Sequence, residues 1–121
     1  MKLSPDASLD EWLGGLNGAS EQFDWDAGNR AKNRKHKVED SEIELLFRRT
    51  VFLAGRIVEP EHQEHRWLLL GETDDGRRLA LIFTRRRDRL RPISCRPMRR
   101  NERRLYEEAK ARLQGSSQEG S

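Results

Sequence analysis

The chain has 121 residues, of which 37% are charged and 34% are hydrophobic, and its formal net charge is +3 at pH 7. These values predict one domain with a small core. They exclude a membrane helix, because no apolar stretch approaches the roughly 20 residues that a bilayer requires. The single cysteine, Cys95, excludes an internal disulfide and a cluster of thiolate metal ligands. The acidic N-terminus lacks the apolar segment of a signal peptide, so we expect a cytoplasmic protein.

The charges are segregated along the chain. Residues 1–28 sum to −5, residues 29–58 to +4, residues 59–76 to −5 and residues 77–112 to +10. A local charge of +10 is typical of a surface that binds a polyanion, although a solvated basic surface is an equally good interpretation of charge alone.

The first twenty residues are acidic and rich in glycine, and we expect residues 1–20 to form a flexible N-terminal extension. Within it, Ser8 and Glu11 have the spacing of a capping box, which predicts a helix of about one turn that ends at Gly14 and Gly15. An alternative is that this acidic arm folds back on the protein's own basic surface.

Two helices are predicted before the sheet. Asp24 or Asp26 can cap a helix that runs to about His36. A second helix is predicted at 39–49, because its apolar residues recur at helical spacing. Its core side consists of Ile43, Leu46 and Phe47.

Three or four antiparallel strands follow, at residues 50–58, 66–73, 77–84 and 89–96. The Asp-Asp-Gly sequence at 74–76 is a hairpin signal, because both residue types tolerate a positive φ. Gly55 indicates a bulge or bend in the first strand. Pro92 indicates an edge or an irregularity in the last strand, because proline cannot donate to a neighbouring strand.

A C-terminal helix is predicted at 97–114, since Pro97 suits a first helical turn and the apolar residues behind it form one stripe. Residues 115–121, rich in Ser, Gly and Gln, are expected to be a disordered tail. The predicted fold is therefore α+β, with two N-terminal helices, a three- to four-stranded antiparallel sheet and one C-terminal helix. Its domain spans residues 21–114.

Three arginines, Arg66, Arg91 and Arg96, lie in or at the ends of predicted strands rather than in loops. A guanidinium binds phosphate through two parallel hydrogen bonds and can stabilise the charge that builds up during phosphodiester cleavage. The alternation of an ideal strand places Arg91 and Arg96 on opposite faces. If both serve one site, the strand must bulge, or one side chain must reach over its end.

Further cations lie near helix ends. Arg99 and Arg100 fall in the first turn of the last helix, where they oppose the helix dipole unless an anion binds. Lys35, with His36, ends the first predicted helix and forms either a set of capping cations or the positive lip of a nucleic-acid groove. For all of them, exposed and screened side chains are the alternative.

The candidate proton-transfer groups are His36, Glu64 and Tyr106, because RNA cleavage by the 2′-hydroxyl needs a base and an acid. The alternatives are a capping role for the histidine and a packing role for the tyrosine. His62 and His65 have the spacing of a metal-binding pair, but they lie in a predicted turn and have no evident third ligand.

Three groups of residues have an order and spacing that together resemble one family. The first is an aromatic residue, Trp-Asp, a spaced Asn and Lys-His, here Phe23, Trp25, Asp26, Asn33, Lys35 and His36. The second is Glu-x-Arg-aromatic before a strand that ends in Gly, here Glu64, Arg66, Trp67 and Gly71. The third is Arg-x-Ile-Ser-x-Arg, then Glu-Arg and Tyr, here Arg91, Ile93, Ser94, Arg96, Glu102, Arg103 and Tyr106. Residues 23–108 thus resemble the BrnT family of bacterial toxins.

Three positions depart from the family's pattern. Cys95 replaces the usual alanine, Lys37 stands where glycine is usual, and Asn29 stands where lysine is usual. Residues 1–20 lie outside the pattern.

The resemblance implies a RelE-like fold with a basic RNA-binding face. It implies a metal-independent endoribonuclease that needs no cofactor, cleaves RNA and inhibits translation. The implied partner is a BrnA-type antitoxin, a ribbon-helix-helix protein that neutralises the toxin and represses the operon. No membrane partner is implied.

The resemblance also suggests roles for the candidate residues. Arg66, Arg91 and Arg96 hold and stabilise the scissile phosphate, and Lys35, Arg99 and Arg100 bind RNA phosphates. His36, Glu64 or Tyr106 moves protons. Two alternatives remain open from the residues alone. They are a non-catalytic basic module that binds nucleic acid, and an interaction protein whose basic face docks an acidic partner helix.

Overall fold

The structure is a computed structural model that describes residues 1–119 and shows an α+β fold around one antiparallel sheet. The strands, from one edge to the other, are β1 Lys2–Ser4, β2 Phe52–Glu59, β3 Trp67–Glu72, β4 Arg78–Arg86 and β5 Arg89–Pro97. The helices are α1 Ala7–Leu13, α2 Asp40–Leu46 and α3 Arg100–Glu119, with short 3-10 helices at Ser20–Gln22 and Lys32–His36. The α+β class is confirmed, but the sheet has five strands where three or four were predicted.

The additional strand comes from the N-terminal residues, which were expected to be flexible and are instead packed on the sheet. β1 pairs with the outer edge of β2. α1 begins after Asp6, whose carboxylate accepts hydrogen bonds from the backbone of Leu9 and from Trp67 Nε1, at 3.1 and 2.9 Å. Asp6 therefore caps the helix in place of the predicted Ser8, because one carboxylate serves both the helix end and the buried indole.

Gly55 explains how β1 reaches the sheet. The pairing of β2 with β3 shifts between Leu53 and Gly55, which confirms the predicted bulge. Gly55 has φ 149°, and a Cβ there would lie 2.8 Å from the carbonyl oxygen of Ser4. Only glycine allows the two backbones this close.

The helix predicted up to about His36 is wrong, apart from the short 3-10 helix at its end. The segment instead runs along β5, where Asn29 Nδ2 donates to the carbonyl of Pro92 at 3.0 Å. Asn33 Oδ1 accepts from the backbone N–H of Cys95 at 2.8 Å. The two asparagine side chains thus form hydrogen bonds with backbone groups on the open edge of β5. If the segment were a regular helix, those backbone groups would be left to solvent.

The second helix and the hairpin follow the predictions more closely. Glu39 and Glu42 form a capping box at the start of α2. The β3–β4 hairpin turns at the predicted Asp-Asp-Gly, with Gly76 at φ 86°. The buried residues of α2 and of the turn after it are Ile43, Leu46 and Phe47, as predicted.

The sheet has two faces with different covers. The core face carries Trp67, Leu69, Leu81 and Phe83, and α1, α2 and the segment before α2 pack on it. The opposite face, called the α3 face, carries Leu68, Leu70 and Ala80 in a cluster with Met98 and Tyr106. None of the helices described in residues 1–119 is long and apolar enough to cross a membrane.

The predicted last helix is shifted toward the C-terminus. Pro97 closes β5, and the backbone N–H of Met98 still donates to the carbonyl of Arg78 at 3.0 Å, so α3 begins only at Arg100. The helix extends to Glu119, beyond the predicted end near Gln114. Residues 120 and 121 lie outside the described residues, and disorder of the tail at 115–121 stays a prediction.

Candidate functional site

A bulge in β5 decides where its arginines point. Ile82 of β4 pairs with Ser94, but the next residue, Phe83, pairs with Pro92, so Ile93 is the extra residue. The irregularity predicted from Pro92 is confirmed, and β5 is an edge strand as expected.

The bulge brings Arg91 and Arg96 to the same face of the sheet. Arg91 pairs with Thr84 and Arg96 pairs with Ala80. Partners that face each other across two strands project to the same side, and residues two apart on β4 share a side. Both arginines therefore start from the α3 face, which an unbroken strand would not allow.

Arg66 lies on the other side of Thr84. Trp67 pairs with Phe83, so Arg66 continues the register opposite Thr84. The arginine row, as we call Arg66, Thr84 and Arg91, thus extends on one face from the residue before β3, across β4, to β5. The Nε atom of Arg66 is buried and has no hydrogen-bond partner among the described residues. A buried donor without an acceptor is rare in folded proteins, and at a functional site it suggests a missing ligand.

Arg91 is held from the edge of the sheet by an acidic loop. Its two terminal nitrogens donate to the two carboxylate oxygens of Asp26, both at 3.0 Å, and Asp24 lies 3.7 Å away. The hydrogen bonds from Arg91, and then the one from the N–H of Gly28, hold the pKa of Asp26 below its usual range. The Asp26 side chain is 55% exposed, so an anion from solvent can compete for this arginine.

Arg96 has a similar partner in a different setting. Its terminal nitrogens donate to Glu102 at 2.7 and 3.0 Å, and Glu102 also accepts the backbone N–H of Arg99 at 2.7 Å. Burial raises the pKa of Glu102, but the hydrogen bonds from Arg96 and from the Arg99 backbone outweigh burial and lower it. The pair therefore ties the end of β5 to the start of α3.

Glu64 lies beside the arginine row and is paired with Arg86, which the sequence analysis did not single out. The guanidinium of Arg86 donates to the two carboxylate oxygens of Glu64 at 3.0 and 2.8 Å. These hydrogen bonds lower the pKa of Glu64, and the charges of Arg91 and Arg66 lower it further. Glu64 is therefore an ionised carboxylate next to two arginines of the row.

His36 is not part of this group. Its carbonyl accepts a hydrogen bond from Arg77 at 3.4 Å, just before the start of β4. Thr84 is seven residues further along this extended segment, roughly 20 Å at about 3.3 Å per residue. The neighbouring Lys35 is exposed at the same end of the sheet.

Tyr106 also lies apart from the row. Its ring packs edge-to-face on Phe52 at 5.6 Å, and the charged groups of Arg78 and Lys110 lie over it at 5.5 and 5.4 Å. Burial raises the pKa of its hydroxyl. These contacts fit the packing alternative for Tyr106 better than proton transfer at the row.

The remaining candidates lie at the surface. Arg99 and Arg100 are exposed at the start of α3, on the side of the Arg96–Glu102 pair. The ring of His65 packs edge-on against Trp67 of the core face and lies 3.5 Å from a nitrogen of Arg56. Residues 1–119 contain no group of three His, Cys, Asp or Glu that could hold a metal ion.

Sequence reasoning missed the carboxylates that hold the arginines. Asp26 was interpreted as a possible helix cap and as part of the Trp-Asp pair of the family pattern, but not as the partner of Arg91. Glu102 was noted only in the family pattern, although an acid three residues after Arg99 is typical of a helix N-terminus. The three arginines share a face of the sheet, but the charge of Arg91 is neutralised by Asp26 and that of Arg96 by Glu102.

A family model described as the ribonuclease toxin, BrnT, of type II toxin–antitoxin systems matches residues 25–102. The match covers more than half of the chain and includes the whole arginine row with Asp26, Glu64 and Glu102. No curated protein sequence and no solved structure matches the chain.

Proposed function

We propose, since the chain belongs to the family of BrnT ribonuclease toxins of type II toxin–antitoxin systems, that it is a metal-independent endoribonuclease that binds the scissile phosphate at the arginine row. The observation that carries this proposal is the convergence of Arg66 and Arg91 on one face, with a buried Arg66 Nε that lacks an acceptor. A phosphate oxygen is the acceptor that a guanidinium binds most strongly.

The row offers two cations to one phosphate. Attack by the neighbouring 2′-hydroxyl places additional negative charge on the phosphate oxygens, and fixed guanidinium groups stabilise that charge more than they stabilise the substrate. Arg66 presents unused donors. Arg91 exchanges the exposed carboxylate of Asp26 for the phosphate, so the ion pair holds the arginine in place until RNA arrives.

Glu64 is the candidate proton acceptor. Of the three groups predicted to move protons, it alone lies in the electrostatic neighbourhood of Arg66 and Arg91. Glu64 is ionised at neutral pH, as a general base must be, and its lowered pKa makes it a weaker base than an ordinary glutamate. We assign Arg96 to fixing the start of α3, and Arg99 and Arg100 to flanking phosphates.

Within this proposal, cleavage of RNA inhibits translation, and the partner is a BrnA-type antitoxin with a ribbon-helix-helix fold. The support for the partner is the type II toxin–antitoxin family, together with the net charge of +10 in residues 77–112, which suits an acidic protein surface. Co-expression of the chain with a BrnA-type antitoxin should relieve the inhibition of translation and leave RNA intact. Continued RNA loss while the antitoxin co-purifies with the chain would contradict neutralisation.

A non-catalytic module that binds nucleic acid is the second candidate. It is favoured by the carboxylate partners of Arg86, Arg91 and Arg96, which reduce the free charge of the face. It is also favoured by the placement of His36 and Tyr106 away from the row. This candidate predicts binding that weakens steeply with salt and leaves RNA intact.

Purified protein incubated with single-stranded RNA separates the two candidates. We expect cleavage that continues in EDTA and leaves 2′,3′-cyclic phosphate ends, as attack by the 2′-hydroxyl requires. Arg66→Ala should slow cleavage by about 10²–10³-fold, the usual loss when one donor to a developing anion is removed. Arg66→Lys should recover little of it, because an ammonium cannot form two parallel hydrogen bonds.

The matched control is Arg112→Ala, which removes an exposed arginine of α3 and should cleave like the wild type. Equal circular dichroism spectra and melting temperatures for all variants show that the fold is retained. Salt-sensitive binding without cleavage by wild-type protein selects the non-catalytic module. Cleavage that stops in EDTA and returns with a divalent cation defeats the metal-independent assignment.

A further inference from the structure

The hairpin that joins β4 to β5 carries four arginines within residues 85–89. Arg86 and Arg89 form the last pair, so the loop has two residues, Arg87 and Asp88. Arg87 has φ 58° and is the only loop residue with positive φ. Two-residue hairpins of this kind favour glycine at the first loop position, where a side chain strains the backbone. An arginine there is a local cost to the fold.

Two of the four arginines have partners. Arg85 lies over the ring of Trp12 at 4.5 Å, and its Nε donates to the carbonyl of Arg87 at 3.0 Å. Arg86 is paired with Glu64. The side chains of Arg87 and Arg89 are exposed and make no ion pair or hydrogen bond with any residue that the structure describes.

The tip of this hairpin, residues 86–89, is continuous with the arginine row. Arg89 and Arg86 pair two residues beyond Arg91 and Thr84, so they start from the same α3 face. Two residues of strand span about 7 Å, which is comparable to the separation of neighbouring phosphates in an extended single strand. A cleft of about 500 Å³ lies at this tip, lined by Asp24 and residues 86–89.

We propose that the hairpin tip is a second phosphate subsite, in which Arg87 and Arg89 hold the RNA phosphate next to the one at the arginine row. This inference rests on the proposed ribonuclease function and extends it, because it predicts that the RNA strand runs from the arginine row toward the β4–β5 hairpin. The ligand is the sugar–phosphate backbone of single-stranded RNA. The subsite reads no base, since guanidinium contacts to phosphate position a strand without specifying its sequence.

Arg87→Gly is the sharpest test, because it separates folding from binding. The substitution relieves the positive φ and should raise Tm by about 2–5 °C. The same variant should bind RNA more weakly, so a gain in stability accompanies a loss of affinity. A residue with only a structural role would not move the two quantities in opposite directions.

Binding is measured with a single-stranded RNA that carries 2′-O-methyl groups and cannot be cleaved through its 2′-hydroxyls. The double variant Arg87→Gly/Arg89→Ala should reduce the magnitude of the slope of log Kobs against log salt by about 0.7, the value for one lost phosphate contact. The control Arg48→Ala/Arg112→Ala removes two exposed arginines from other surfaces and should leave the slope unchanged.

Cleavable substrates of increasing length then locate the subsite. With a dinucleotide, which is too short to reach the tip, the ratio of wild-type to double-variant kcat/KM should approach one. With longer RNA the double variant should lose tenfold or more, mainly through a higher KM. Cleavage by the wild type with an unchanged slope and unchanged KM in the double variant overturns the subsite. If the wild type cleaves nothing but its slope differs from that of the double variant as expected, the proposed function is overturned and the subsite stands.

Discussion

Two arginine–carboxylate pairs on β5 have nearly the same geometry and very different surroundings. Arg91 donates twice to Asp26 at 3.0 Å, and Arg96 donates twice to Glu102 at 2.7 and 3.0 Å. Both arginine side chains are 13% exposed, but that of Asp26 is 55% exposed and that of Glu102 is 4% exposed. The two pairs therefore differ in the exposure of the carboxylate and not in the exposure of the arginine.

This difference indicates that the two pairs serve different purposes. Water and salt screen the exposed pair, so its net contribution to folding is small and another anion can take the carboxylate's place. The buried pair cannot be exchanged in this way, since removal of one partner leaves a charge without compensation. Under the proposed function, the arginine with the exposed partner is therefore the one that binds RNA, while the one with the buried partner holds β5 to α3.

The largest effect is expected at Arg91. Arg91→Ala should reduce RNA cleavage by about 10²–10³-fold, because it removes one of the two cations that we propose bind the scissile phosphate. Its melting temperature should stay close to that of the wild type, because the partner Asp26 is solvated. Initial rates on a fluorescent RNA, together with thermal melts, check both parts. Full activity in a folded Arg91→Ala protein would show that Arg91 is not part of the catalytic site.

Much of the fold was predictable because its signals are local. Apolar runs marked β3 and β4, the Asp-Asp-Gly sequence marked their hairpin, and helical spacing marked α2. The segment along β5 was not predictable, because its structure depends on distant partners. Asn33 accepts from the backbone of Cys95, 62 residues away, and no local pattern contains that contact.

The candidate site shows the same limit. Arg66, Arg91 and Glu64 were identifiable by residue type and by family resemblance, but their common face depends on one extra residue, Ile93. A shift of one residue reverses the face of every side chain beyond it. Pro92 indicated an irregularity without giving its size, and Asp26, 65 residues from Arg91, could not be assigned as its partner.

The next effect is on stability, at Arg96. Arg96→Ala should lower the free energy of unfolding by about 2–4 kcal/mol, because Glu102 is left buried and charged. Urea titration measures this loss. Cleavage per folded molecule should fall far less than in Arg91→Ala. An Arg96→Ala protein that is as stable as the wild type but inactive would reverse the roles of the two arginines.

The pH dependence of this variant has a definite sign. In the wild type, Glu102 has a lowered pKa in the folded state, so its contribution to stability is present at neutral pH and is lost as pH falls through that pKa. Without Arg96, the largest of the influences that lower the pKa of Glu102 is lost, so burial should raise that pKa relative to the wild type. Acidification from pH 7 to 5 should therefore narrow the stability gap between Arg96→Ala and the wild type. A gap that widens would show that Glu102 is not left buried and charged.

The smallest effect is expected at Asp26, and it tests the comparison most directly. Asp26→Asn removes the charge that competes with phosphate for Arg91, while the amide oxygen can still accept from the Gly28 N–H. RNA binding at low salt should become a few-fold tighter, because the row gains one net positive charge. The matched change Glu102→Gln should destabilise the protein without strengthening binding, because its carboxylate is buried. If Asp26→Asn instead abolishes cleavage while RNA still binds, the carboxylate orients Arg91 during the reaction, and displacement by phosphate is the wrong description.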